Sequence, residues 1–225
     1  MNQDPKASND TTQVFHRVDE VGITFIDVLF ALVVSRILAA ATDASSLPAH
    51  AISHLLVAAA LTTFSWVGYH NSANRPQYPI RFINLPFWQF LIDVLLVGDY
   101  WFVAATVEYV PEISARPNSP TSAQPEALGV FLAFILYALW DEVSRRIYAS
   151  SRYADDTDGS EGSERLRRRR VTWVFSLMST AVFVVTLVWM PRDGGKVVAL
   201  DVALLLILAF YRIAKDWPAA KFKKS

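Results

Sequence analysis

Five ionisable residues stand inside otherwise apolar stretches of this chain: Asp27, Arg36, Asp93, Asp99 and Asp201. A charge at the centre of a membrane helix costs ~2.5 kcal/mol or more on insertion scales, so each should face protein or water rather than lipid. Two chemistries suit such residues. One is an ion or proton pathway; the other is a set of interhelical salt bridges that fixes packing. Arg36 is the single cation among the five. It lies about 22 Å along the first apolar helix, a depth that Asp99 and Asp201 also reach. A pair between Arg36 and one of those two acids is therefore expected.

The first apolar stretch carries further geometry. At helical spacing, Val28, Leu32, Ser35, Arg36 and Ala39 share one face, and Asp27 lies nearly opposite Arg36. A bulky apolar residue, a hydroxyl and a cation on one face suit a pore with an apolar constriction, where symmetry-related side chains control wetting. The same face suits a buried helix–helix contact equally well.

Other motifs carry less. Setting Gly159 at the sixth position of a calcium loop places Ala154 first and Arg165 twelfth, where ligands are required, so the DDTDGSEGSE tract is rejected as such a loop. His16, His50, His54 and His70 have no partners at metal-ligand spacing, and the chain has no Cys, so no metal site is expected. No Gly-rich phosphate loop, Ser/His/Asp set or membrane-protease motif stands out. Neither enzymatic activity nor a cofactor is expected.

The elements that must position these residues follow from composition. The 225 residues are 53% hydrophobic and 19% charged, with a mean hydropathy of +0.27. Such a balance requires the charges to be segregated. Between Val21 and Trp217 the apolar residues gather in blocks of about 20, the length that crosses a hydrocarbon core of ~30 Å. The pattern predicts an all-α, polytopic membrane protein with six spans, at about 22–41, 51–70, 84–107, 127–147, 171–190 and 197–213. A polar tail over 1–20, a flexible loop over 148–170 and a basic tail over 218–225 complete the layout. Alternating ten-residue strands are missing, which argues against a β-barrel. Equal numbers of basic and acidic residues, 21 each, argue against a nucleic-acid partner. The first 20 residues are polar and lack a basic region leading into a cleavage site, so the first block reads as a mature helix rather than a signal peptide.

Lys and Arg set the expected orientation. With the N-terminus inside, seventeen of them fall in cytoplasmic segments, including Arg145, Arg146, Arg152, Arg165, the run Arg167 to Arg170, and Lys215. Three fall outside (Arg116, Arg192 and Lys196), and Arg36 lies within the first span. Both termini are expected in the cytoplasm. Trp66, Tyr69, Trp88, Trp173, Tyr211 and Trp217 cluster near the inner boundary, as amphipathic rings do at the headgroup level.

Phe25-Ile26-Asp27-Val28-Leu29-Phe30-Ala31-Leu32 resembles the Phe-Ser-Asp-x-x-Phe-Ala-Ile signature that opens the first helix of the transmembrane protein 175 family of potassium channels, in its short prokaryotic form. Trp66-Val67-Gly68-Tyr69-His70-Asn71 is similar to that family's Trp-x-x-His-His, and Ile83-Asn84-Leu85 to its Asn-Leu stretch. The resemblance covers about residues 17–107; the second half matches in layout only. It implies a homotetramer whose central pore is lined by the first helix, with Leu32 as the hydrophobic constriction and Ser35 as a hydroxyl-bearing position one turn on. It also implies that Phe25, Asp27, Trp66 and His70 serve helix packing.

Three positions depart from the family pattern: Ile26 replaces the signature Ser, Val21 replaces an Arg, and Arg36 occupies a normally apolar site. Four Arg36 side chains in a pore would repel cations, whereas an Arg36 neutralised by Asp99 or Asp201 would leave it cation-permeable. The leading expectation is a cation (potassium) channel in a plasma membrane, with the bilayer and monovalent ions as partners. The alternative is a non-conducting membrane scaffold or effector that acts through a cytoplasmic partner. A transporter relaying through Asp93 and Asp99 is disfavoured, because Gly/Pro-broken helices do not appear in matching halves.

Overall fold

Each of the six apolar runs forms a helix, the form in which a backbone able to cross hydrocarbon satisfies its hydrogen bonds within itself. They are α1 (Thr24–Ala41), α2 (Ala49–Ala73), α3 (Leu85–Thr106), α4 (Gln124–Ser150), α5 (Gly159–Trp189) and α6 (Gly194–Asp216). All six contain a stretch long and apolar enough to cross a membrane. The protein is all-helical in this computed structural model, which describes residues 24–42, 47–73, 83–106, 123–150, 159–189 and 194–217. The expected tails over 1–20 and 218–225, and positions 151–158 of the expected loop, lie outside the described residues.

Helix limits differ from the hydropathy reading in one place. The stretch expected as a flexible loop over 148–170 is helical at both ends, because α4 continues to Ser150 and α5 begins at Gly159. Hydropathy marks where a helix meets the apolar phase and not where its hydrogen bonding stops. The SERLRRRR stretch is rich in Glu, Arg and Leu, which favour helix over coil. The start of α3 is more sharply set. The Asn84 side-chain carbonyl accepts the Phe87 amide at 2.9 Å, an N-cap that satisfies one of the helix's orphan donors.

The helices alternate in direction. The starts of α2, α4 and α6 gather at one end, here the upper end, while α1, α3 and α5 start at the lower end. Thus Gln124, at the start of α4, donates to the carbonyl of Thr186, near the finish of α5, at 3.2 Å. Around the bundle α2 packs on α3 and α6, α4 packs on α3 and α5, and α5 packs on α6, which closes a ring of five helices. α1 packs against α2 and α3, with Ile26, Phe30 and Val33 in the core. Its Phe30 ring sits 6.3 Å from Tyr69 of α2 and 5.8 Å from Tyr100 of α3, and Phe25 lies 6.0 Å from Phe90.

α5 reverses the pattern of a soluble helix. Thr172, Ser176, Ser179 and Thr186 are buried, while Trp173, Val174, Leu177, Val184, Val185 and Val188 point outward. Lipid is as apolar as the interior, so burying bulk gains little; small residues gain by letting backbones approach. Each buried hydroxyl donates to a carbonyl on its own helix or to a side chain close by, such as Ser176 to Thr172 O at 2.8 Å and Ser179 to Ser176 O at 2.9 Å.

α3 and α4 approach most tightly at Gly129. A methyl group added there would stand 2.3 Å from the Cγ2 of Val103, which is completely buried and has no room to retreat. Gly98, by contrast, has nothing within 4 Å of the same added atom. Gly129→Ala should therefore lower stability by about 1–3 kcal/mol through overpacking. Gly98→Ala should leave it unchanged or raise it. Thermal unfolding of the two variants in detergent micelles checks the contrast, and equal melting temperatures would refute the tight α3–α4 contact.

Candidate functional site

α1 divides into two faces. Ile26, Phe30, Val33 and Ile37 are buried against the bundle, whereas Val28, Leu32, Ser35 and Ala39 are exposed, Leu32 by 51%. The face that combines the bulky residue with the hydroxyl thus points away from the chain's own interior. Asp27 sits on the flank, where its Oδ1 lies 3.6 Å from Nε2 of His70 on α2. The His70 ring packs 4.2 Å from Trp66, and its Nδ1 lies 3.2 Å from the Trp66 carbonyl. The fold therefore brings Asp27, Trp66 and His70 together, and seats Phe25 on Phe90. Arg36 is half-buried, with its guanidinium 4.6 Å above the Trp101 ring of α3, a cation–π arrangement.

The lower half of the bundle holds a partly open cavity of about 130 Å³, lined by Phe30 of α1 and by Asp93, Tyr100, Tyr137, Tyr211 and Lys215 among others. Its polar groups form a chain. Tyr137 hydrogen-bonds to Ser65 and stands 3.1 Å from the Tyr100 hydroxyl, while its ring stacks on Tyr211 at 5.6 Å. The Lys215 ammonium donates to the Tyr211 hydroxyl at 2.7 Å and lies 3.4 Å from Asp141, which also accepts from Thr172 at 2.6 Å. Around the rim, Glu142 pairs with Arg145 at 2.6 Å, Arg146 at 3.1 Å and Arg169 at 3.4 Å. Arg167 donates to the carbonyls of Ala214 and Trp217, capping the last turn of α6.

A second polar group fills the upper end. His54 of α2, Glu126 of α4 and Asp201 of α6 are buried together, with one ligand-type atom of each lying within 4.8 Å of the other two. His54 Nδ1 hydrogen-bonds to Glu126 and stands 3.4 Å from Asp201, which accepts from the Ser53 hydroxyl. Apolar side chains separate this group from the cavity: Leu61 and Leu208 face the cavity, and Leu204, completely buried, lies one turn nearer Asp201.

Of the acids expected to meet Arg36, Asp201 belongs to this upper group. Asp99 is buried on α3 with its Oδ2 lacking a hydrogen-bond partner among the described residues. Asp93 lines the lower cavity. Asp93 and Asp201 thus stand toward opposite ends of the bundle. Glu126 and Lys215 were not flagged by the sequence reading, and His54 was set aside. Glu126 lies just outside the hydropathy span that begins at 127, and its partner His54 is 72 residues away. The one usable signal was the repeat of His50 and His54 on one helical face.

Compared with models of known protein families, with curated proteins and with solved structures, the chain matches none. Its functional reading consequently rests on the residues themselves.

The Lys215–Asp141 contact yields a direct test. Lys215→Met leaves the Asp141 carboxylate with Thr172 alone and should destabilise the chain by about 1–3 kcal/mol, as expected for a charge-assisted bond lost in a shielded place. Asp141→Asn combined with Lys215→Met should cost less than the sum of the two single changes. Additive melting-temperature shifts would show that the two side chains are not coupled.

Proposed function

We propose that the chain is a subunit of an ion channel, conducting monovalent cations, potassium among them, along an axis lined by α1 from each of four copies. The observation that carries this reading is the outward stripe of Val28, Leu32, Ser35 and Ala39 on a helix whose opposite face is fully committed to its own bundle. Around a symmetry axis this stripe would set a ring of Leu32 side chains beside a ring of Ser35 hydroxyls. An apolar ring gates by dewetting, and hydroxyls one turn away replace part of an ion's hydration shell. The cluster of Asp27, Trp66 and His70 supports the reading by fixing the rotation of α1 from its flank, as the resemblance to the transmembrane protein 175 family implies.

Arg36 sits at the edge of the stripe, and four such charges at the axis would exclude cations. Its guanidinium instead rests on Trp101 of the same protomer, which holds the charge to the side. The concentration of Lys and Arg at the lower end supports an orientation with that end and both termini in the cytoplasm, in a plasma membrane.

Potassium, sodium and chloride flux from proteoliposomes tests the reading. Wild-type protein should pass potassium, and Leu32→Ala should raise the flux severalfold by opening the apolar ring. Trp101→Ala should release Arg36, reduce potassium flux and raise chloride relative to it; adding Arg36→Gln should restore potassium. Flux no greater than in empty liposomes from wild type and Leu32→Ala alike would overturn conduction and favour a scaffold or effector.

A further inference from the structure

The upper group of His54, Glu126 and Asp201 has a charge balance that the protein by itself does not close. Glu126 and Asp201 are 0% exposed and His54 is 3% exposed. The ion-pair partner of both carboxyls is His54; no Lys or Arg lies within pairing distance of either among the described residues. Even with His54 protonated, two ionised carboxyls would leave a net negative charge sealed from water. Two ionised carboxyls sealed from water need a proton or a cation to compensate them, and the donor set favours a cation.

The donor set says what kind of cation. One imidazole nitrogen and two carboxyl groups converge, and each carboxyl keeps a second oxygen, Glu126 Oε1 and Asp201 Oδ1, that is buried and has no hydrogen-bond partner among the described residues. Those oxygens belong to the same carboxyls whose other oxygens already face His54. His54 Nδ1 and Asp201 Oδ2 are 3.4 Å apart. Mixed imidazole and carboxylate ligation suits first-row divalent ions more than Mg²⁺ or Ca²⁺, which prefer oxygen alone. Ser53, donating to Asp201, is placed as an outer partner that orients a ligand.

We propose that His54, Glu126 and Asp201 form a buried site for a divalent transition-metal ion, with Zn²⁺ the preferred occupant. The ion ties the starts of α2, α4 and α6 together at the upper end. The apolar layer of Leu61, Leu204 and Leu208 closes it off from the lower cavity, so it is a structural clamp and not a station on a path through the protomer. The site stands independently of the pore reading.

Metal analysis of the full-length protein in detergent, stripped with a chelator and reloaded with Zn²⁺, provides the test. The expected results are one Zn²⁺ per chain, a melting temperature that rises on Zn²⁺ addition but not on Mg²⁺ addition, and visible d–d bands when Co²⁺ is supplied instead. Glu126→Gln and Asp201→Asn, which keep shape and hydrogen bonding, should each weaken Zn²⁺ binding at least tenfold. The Co²⁺ spectrum of the unmodified chain decides the matter should those variants fail to fold. Absence of Co²⁺ bands together with no Zn²⁺-dependent stabilisation would overturn the site and leave a proton shared between the carboxyls. Undiminished Zn²⁺ binding by both variants would also overturn it, by assigning the ion to other side chains.

Discussion

The constraint on which the remaining structure depends is that a polar group facing hydrocarbon has no water to turn to. Every charge and hydroxyl on these six helices must be answered from within the bundle or carried to its ends. Most polar groups meet that demand, and Asp99, Glu126 and Asp201 each keep one buried oxygen without a hydrogen-bond partner among the described residues. Asp141, Lys215, Thr172 and Tyr211 satisfy one another at the lower end, and Glu142 gathers three arginines at the rim. His54, Glu126, Asp201 and Ser53 converge at the upper end. Between them lies an apolar layer in which Leu61 and Leu204 are sealed completely. The interior thus holds one polar cavity and one polar cluster, with Leu61 and Leu204 buried between them.

The same constraint explains which surfaces are left over. A helix gains little by burying bulky apolar residues when its outside is also apolar, so close approach of backbones takes that place. α5 uses hydroxyls and α4 uses Gly129 for this, and their large side chains face outward without penalty. α1 is the exception that carries function in the proposed reading. It has one apolar face engaged with α2 and α3, and an outward face on which Ser35 and Ala39 stand among Phe25, Val28, Leu32, Val34 and Leu38.

Much of the fold was legible in the sequence because hydropathy and helix length report directly on the cost of placing residues in hydrocarbon. Six spans were read to within a few residues of the six helices. The exception was the region from 148 to 170, where polar composition concealed helix at either end, since helical hydrogen bonding is indifferent to whether water or lipid lies outside. The local geometry of α1 was also legible, because the side-chain faces of a single helix follow from its 3.6-residue turn. Leu32 and Ser35 on one face, with Asp27 turned from Arg36, needed no partner helix to be known.

What lies between helices was not legible. Hydropathy alone argues for burying Arg36, Asp99 and Asp201 but not for any particular partner; charge alone suggests that opposite signs meet. The tertiary structure set Arg36 over Trp101 and placed Asp201 beside His54 and Glu126. Length and periodicity thus determined an all-helical, six-span chain and the faces of its helices, because these depend on one segment and its solvent. Which side chains became neighbours was decided only by the rotation and pairing of helices, a property of many backbone contacts at once. For that reason a histidine with no ligand spacing along the chain could acquire two carboxyl neighbours in space.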